Sequence, residues 1–240
     1  MFERILPSSI RVAERRLDER VPLFLEEEAA IARAAAVRRA EFVTVRACAR
    51  EALAEMGVES VGIPPGAGGA PSWPAGVVGS MTHCAGFRAA AVASSSTWRS
   101  LGIDAEPREP LPEEVASLIA SDAERQELTQ ARAQVNRGGR TQAGRTARTD
   151  GGGAADRRGT PWETVLFSAK ESVYKAWYPL AGRFLDYPDV HVEVAADGSF
   201  TARLLVPGVV VGGALLDRFE GRWLVADDLV LTAVTVPRSR

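Results

Sequence analysis

The run Leu101-Gly102-Ile103-Asp104-Ala105-Glu106-Pro107 ends an apolar stretch on two carboxylates. In extended chain alternate residues share a face, so Asp104 and Glu106 converge while Ala105 points away. Side-by-side carboxylates repel unless a cation lies between them. Hard oxygen ligands suit magnesium, which keeps several waters and takes phosphate oxygens as further ligands. The plainer alternative is a solvated strand end with two surface acids.

A second constellation is Phe167-Ser168-Ala169-Lys170-Glu171-Ser172-Val173-Tyr174-Lys175. Residues four apart on a helix are neighbours, so Glu171 and Lys175 share a face. The chain has 29 Lys plus Arg, yet Lys170 and Lys175 are its only lysines. Lysine is a compact ammonium where arginine is a broad planar fork, so the pairing suggests a spot that needs the compact charge. Glu171 then reads as a third metal carboxylate beside a phosphate-binding ammonium. The alternative is a helix ion pair on a solvated face, worth about 0.2–0.5 kcal/mol.

Two further segments carry groups that bind anions. Gly79-Ser80-Met81-Thr82-His83-Cys84 reads as a polar turn before a strand. The hydroxyls of Ser80 and Thr82, the His83 imidazole and turn amides together can hold a phosphate. A structural turn with a capped histidine is the competing reading. The other histidine, His191, lies between valines in a predicted strand and reads as structural. Arg38, Arg39 and Arg46 are candidate phosphate forks on a predicted helix. Helical arginines are usually solvated, so this segment is weak alone.

The elements that must position these groups follow from periodicity and punctuation. Leu25–Met56 reads as a helix with a break, stopped at Gly57. Residues 63–73 are Pro- and Gly-rich loop. Phe87–Ala93 and Thr97–Ile103 read as a hairpin about Ser94-Ser95-Ser96. Leu111–Leu128 reads as helix, and so does Trp162–Leu180, with Leu166, Val173, Trp177 and Leu180 as its apolar stripe. Short strands follow at Val190–Val194, Phe200–Val206, Val209–Leu216, Arg222–Ala226 and Leu229–Val236. Asp197-Gly198 and Glu220-Gly221 read as turns between them.

Gln130–Thr160 is Gly, Arg, Thr and Ala with almost no large apolar residue, and is expected to be a mobile insert. The expected class is α+β with antiparallel sheets, in two similar halves that each pack a small sheet on a long helix. The expected division is 1–103 and 104–240.

Hydrophobic residues make up 46% and charged residues 25%, the values of an ordinary globular protein. A formal charge of -2 gives no global field toward nucleic acid or anionic membrane, so any anionic ligand needs a local site. Cys48 and Cys84 suggest no disulfide framework and read as reduced thiols of a cytoplasmic protein. The charged N-terminus does not read as an ordinary signal peptide, and the apolar runs read as too short to span a bilayer.

Taken in order, the arginine-bearing helix, Trp73-Pro74, Gly-Ser-x-Thr-His-Cys, Gly-Ile-Asp-Ala-Glu-Pro and Lys-Glu-x-x-x-Lys resemble the phosphopantetheinyl transferases. The likeness is to the monomeric, two-subdomain type that activates siderophore, polyketide and nonribosomal peptide synthases, particularly in actinobacteria. It runs from about Val21 to Val236 and fails in the 130–160 insert.

The resemblance implies transfer of the 4'-phosphopantetheine arm from coenzyme A to a carrier-protein serine, releasing adenosine 3',5'-bisphosphate. It implies magnesium, with manganese an alternative, on Asp104, Glu106 and Glu171. Asp104, Glu171 and Lys175 are the implied catalytic groups. Lys170 and Lys175 are implied beside the pyrophosphate, His83 with Ser80 or Thr82 at the 3'-phosphate, and Arg38 and Arg46 at coenzyme A phosphates. The implied partners are coenzyme A and apo acyl or peptidyl carrier proteins, with no nucleic acid or membrane.

Two departures stand out. Family members often carry a lysine in the loop before Trp-Pro, where this chain has no basic residue in 64–71. Many have Trp where this chain has Phe167. The competing functions are a non-catalytic coenzyme A or nucleotide-binding module and a metal-dependent phosphohydrolase. Metal dependence of the activity separates the first from a transferase, and hydrolysis without a protein acceptor marks the second.

Overall fold

The computed structural model describes residues 1–141 and 159–238. The first half contains β1 (Arg11–Arg15), α1 (Leu25–Ala30), α2 (Ala36–Ala54), β2 (Val77–Cys84) and β3 (Phe87–Ser94). After a short turn come β4 (Trp98–Pro107), α3 (Glu113–Ile119), α4 (Asp122–Thr141) and α5 (Trp162–Ala181). The chain finishes with β5 (Val190–Val194), β6 (Ser199–Leu204), β7 (Val209–Val211), β8 (Ala214–Leu216), β9 (Arg218–Ala226) and β10 (Leu229–Pro237). Among the described residues β1-β3-β2 form one antiparallel sheet and β4-β10-β9-β6-β5 another, with β7-β8 a separate ribbon. This is the expected α+β class, with two antiparallel sheets and a long helix on each.

Small residues let the layers approach. β3 is alanine-rich and buried on both faces. Ala90 and Val92 meet Cys48, Ala49, Ala52 and Leu53 of α2. Ala89, Ala91 and Ala93 share a second core with Leu101, Ile103 and Ala105 of β4 and Leu229, Leu231 and Ala233 of β10. On the far face of the larger sheet, α5 buries Leu166, Val173 and Trp177 in a third core. Burial of each large side chain contributes about 1.5–3 kcal/mol.

Gly102 sets how closely α5 meets β4. A Cβ there would overlap the Ser172 carbonyl oxygen and the Ala176 amide of α5. The Ser100 hydroxyl donates to the Ala176 carbonyl at 2.7 Å, two residues along the same face.

The sheets meet where β2 runs beside β4. The Ile103 amide donates to Ser80 Oγ at 3.0 Å and the Ala105 amide to Thr82 Oγ1 at 3.1 Å. Side-chain hydroxyls thus satisfy an edge strand that has no backbone partner on this side.

Several sequence expectations need correction. β3 and β4 do not form a hairpin. β3 pairs with β1 and β2, while β4 pairs with β10. The true hairpin is β2–β3, so His83 lies on a strand and not in a polar turn. Val209–Leu216 is not one strand but the β7–β8 ribbon. Glu220 and Gly221 lie inside β9, where Gly221 leaves room for the Phe200 ring. The 111–128 helix is broken at Ala120–Ser121, and α4 continues to Thr141, inside the segment expected to be an insert. Residues 142–158 of that expected insert lie outside the described residues. The free Cys48 and Cys84 agree with the reduced-thiol reading. No helix among the described residues is long and apolar enough to cross a membrane.

Candidate functional site

The Gly102 contact places α5 against the face of β4 that carries Asp104. Asp104 is 3% exposed, and each of its oxygens is held. Oδ1 accepts from Lys175 Nζ at 2.6 Å and from Thr82 Oγ1 at 3.3 Å. Oδ2 accepts from the Ser168 hydroxyl at 2.8 Å. Behind Ser168, the Thr232 hydroxyl of β10 sits 2.9 Å away and donates to the Ser168 carbonyl. Lys175 Nζ also donates to the Ile103 carbonyl at 3.2 Å.

Glu106 shares the Asp104 face, as the strand period requires. Burial, then the Asp104 charge, pushes its carboxyl up to about 8, against a smaller opposing pull from Lys175. Glu171 is raised as well, by burial first and then by Asp104. A hydrogen bond from Tyr187 Oη to Glu171 Oε1 at 2.9 Å and the Lys175 charge oppose that rise. Three carboxylates thus feel one another at the end of β4, with Lys175 as the cation already among them.

Their chemistry fits a hard divalent ion: all-oxygen donors, two of which hold protons more tightly until positive charge arrives. As they stand, no three His, Cys, Asp or Glu side chains among the described residues are arranged to hold a metal ion. Magnesium requires only one or two carboxylates when phosphates and water complete its shell.

The second part of the site lies between α2 and β2. His83 Nε2 is 2.5 Å from Arg38 Nη1 and 3.3 Å from Glu41 Oε2. Burial, then the Arg38 charge, lowers the His83 pKa, which favours a neutral imidazole. Arg46 is 6% exposed, with its guanidinium 3.4 Å from the centre of the Phe42 ring. Its Nε donates to the Ile63 carbonyl at 3.3 Å. Burial lowers its pKa to about 10. A desolvated guanidinium of this kind suits a phosphate. Arg39 points elsewhere and pairs with Glu28 at 2.5 Å.

Three residues expected to touch coenzyme A have other partners. The Ser80 and Thr82 hydroxyls are buried and stitch β2 to β4, with Thr82 also on Asp104. Lys170 is 2% exposed. Its ammonium donates to the Ile119 carbonyl at 2.8 Å, to the Tyr187 carbonyl at 2.9 Å and to Glu124, whose Oε1 is 2.9 Å away. With Nζ so engaged, no donor is left for a phosphate. Sequence reasoning missed Glu41 and Tyr187. Glu41 is three residues from Arg38, a helical spacing that signals the contact. Tyr187 lies beyond the end of α5 and carries no local signal. His191 pairs with Glu127 at 3.2 Å, consistent with a structural role.

Residues 100–232, which carry the acidic cluster and α5, match the family model described as the 4'-phosphopantetheinyl transferase superfamily. Residues 26–93 match the 4'-phosphopantetheinyl transferase N-terminal domain.

The chain belongs to the 4'-phosphopantetheinyl transferase superfamily.

Among its relatives, the 4'-phosphopantetheinyl transferase Svp of Streptomyces mobaraensis is 51% identical over 215 residues, 89% of this chain and 78% of that protein. The 4'-phosphopantetheinyl transferase Npt of Nocardia iowensis is 41% identical over 98% of this chain and 99% of its own length. The 4'-phosphopantetheinyl transferase PptT of Mycobacterium tuberculosis is 40% identical over 88% and 85%. Both halves of the site therefore fall within transferase-like sequence.

Proposed function

We propose that this transferase moves the 4'-phosphopantetheine arm of coenzyme A onto a serine of an acyl or peptidyl carrier protein, with the β4–α5 cluster as its catalytic centre. The convergence of Asp104, Glu106, Glu171 and Lys175 carries this reading. In the proposed reaction the serine oxygen forms a bond to the β-phosphorus while the pyrophosphate P–O bond breaks. Adenosine 3',5'-bisphosphate leaves, and the serine proton passes to a base.

Glu171 is the proposed base. Burial and the neighbouring Asp104 raise its proton affinity, which makes its carboxylate a stronger base. Lys175 offsets charge on the leaving phosphate, as positioned cations do in phosphoryl transfer. Asp104, Glu106 and Glu171 are the proposed holders of magnesium or manganese, which would neutralise pyrophosphate charge when bound. His83, Arg38 and Arg46 are the proposed contacts for the remaining phosphates of coenzyme A. Lys170, Ser80 and Thr82 are not included, because their polar atoms serve the fold.

The candidate carriers are those of siderophore, polyketide and nonribosomal peptide synthases. Every residue of the proposed site comes from this one chain, so a monomer is sufficient. Cytoplasmic action is proposed from the substrate and the two free thiols. We also propose two subdomains that divide at the β3–β4 turn, since the expected boundary at 103/104 would cut β4.

Glu171→Gln tests the central role. Coenzyme A affinity by calorimetry should stay within about twofold while turnover falls about 10²–10⁴-fold, the range of a lost general base. Undiminished turnover would remove Glu171 from the mechanism.

A further inference from the structure

The carboxylate of Glu171 receives one hydrogen bond from outside its own helix, and the residue that supplies it is pinned from behind. Tyr187 opens the single-turn helix Tyr187–Asp189 that leads from α5 into β5. Its hydroxyl donates to Glu171 Oε1 at 2.9 Å. Its ring packs on Phe167, one turn before Glu171 on α5, with centroids 6.0 Å apart. Its carbonyl accepts from the buried Lys170 ammonium at 2.9 Å.

Lys170 is in turn fixed by Glu124 of α4 and by the Ile119 carbonyl at the end of α3. Glu124 is 1% exposed, and its remaining capacity is spent on the Val192 amide at 2.9 Å and on the amide and hydroxyl of Ser121. Backbone, ring and hydroxyl of Tyr187 are thus held by three separate contacts.

We infer that Tyr187 is a positioning residue for Glu171, and that the buried Lys170–Glu124 pair fixes the turn that carries it. The inference rests on the catalytic reading of Glu171 given above. A carboxylate flanked by other carboxylates has more than one orientation open to it. The Tyr187 hydroxyl selects one by occupying Oε1, which leaves Oε2 to face the reacting groups. The Phe167–Tyr187 contact gives a physical role to the aromatic that replaces the family's usual Trp. Loss of the hydroxyl frees the carboxylate to rotate without removing any group that touches coenzyme A.

The test is a two-residue cycle of Tyr187→Phe and Glu171→Gln, read by steady-state and single-turnover transfer to an apo carrier protein with magnesium. Phenylalanine keeps the ring on Phe167, so the fold is retained. Tyr187→Phe should lower kcat about tenfold, the worth of one hydrogen bond to a charged group, with KM for coenzyme A unchanged. In the Glu171→Gln background the same change should have an effect below about twofold, because residues acting as a unit are not additive.

A Tyr187→Phe enzyme with wild-type kcat, or an equal loss in both backgrounds, would overturn the inference. A rise in KM for coenzyme A with kcat intact would also overturn it and make Tyr187 a substrate contact. Failure of the wild-type protein to transfer the arm at all would instead defeat the catalytic reading beneath it.

Discussion

Lys170 and Lys175 sit on the same helix, each against a carboxylate, yet their surroundings differ. Lys170 lies under α3 and α4 with Glu124, both nearly sealed from solvent, and with main-chain carbonyls around its ammonium. Lys175 pairs with Asp104 at 2.6 Å, but its side chain is 26% exposed and two further carboxylates stand nearby. The first environment is closed and has one anion for one cation. The second is open and has more carboxyl groups than its one lysine can neutralise, two of which hold their protons more tightly as a result. A satisfied pair holds elements together, whereas an unbalanced, accessible cluster is poised for a further cation and a phosphate. Ion-pair distance alone does not separate a structural lysine from a functional one.

Removing each lysine in turn is the sharpest way to break this comparison. Lys170→Met strands the buried Glu124 and should cost about 3–5 kcal/mol in denaturant unfolding, the usual penalty for half of a buried pair. KM for coenzyme A in the fraction that remains folded should not rise. If stability held and KM rose, Lys170 would be a phosphate contact after all.

Lys175→Met should reverse the pattern. Turnover should fall about 10²–10³-fold, as for loss of one preorganised charge-stabilising donor. Unfolding should shift less than in Lys170→Met, because Asp104 keeps its bonds from Thr82 and Ser168.

Gly102→Ala is next in size, and acts on the platform that both lysines depend on. The added Cβ must push α5 from β4, at about 1–3 kcal/mol by the measure of overpacked cores. Turnover should fall as well, since Glu171 and Lys175 move with the helix. A stable, fully active variant would show that the close approach is not needed.

The last expected effect is on pH. Without metal, the Glu106 carboxyl keeps its proton up to about 8 in the folded protein, against 4.5 ordinarily. The folded state then binds more protons than the unfolded one between those values. Stability should therefore decline as pH rises through that window and level off above it. Thermal unfolding in chelator, for wild type and Glu106→Gln, checks this: the variant should lack that part of the slope, and magnesium should flatten it in the wild type. Parallel slopes would mean that Glu106 is not part of the charge cluster.

What the sequence could reveal followed from local periods. Asp104 and Glu106 share a face, and Ala105 packs in the opposite core, because strands alternate. Glu171 and Lys175 share a face because helix residues four apart do. The same geometry puts Lys170 about 140° around the helix from Lys175, so a common destination was never open to both. What remained hidden depends on long-range partners. Glu124 is 46 residues from Lys170, and Tyr187 is 16 from Glu171. Ser80, Thr82 and His83 are polar, and polarity alone predicts a turn where β2 stands. Two of those side chains are in fact buried hydroxyls that serve a neighbouring strand.

The most direct test is intact-protein mass spectrometry of an apo acyl or peptidyl carrier protein incubated with the enzyme, coenzyme A and magnesium, beside a chelator control. The account predicts a mass gain of one phosphopantetheine arm on the carrier, lost with chelator, slowed about 10²–10³-fold with Lys175→Met and slowed far less with the folded fraction of Lys170→Met. A gain that survives chelator, or one slowed equally with both lysine variants, would contradict it.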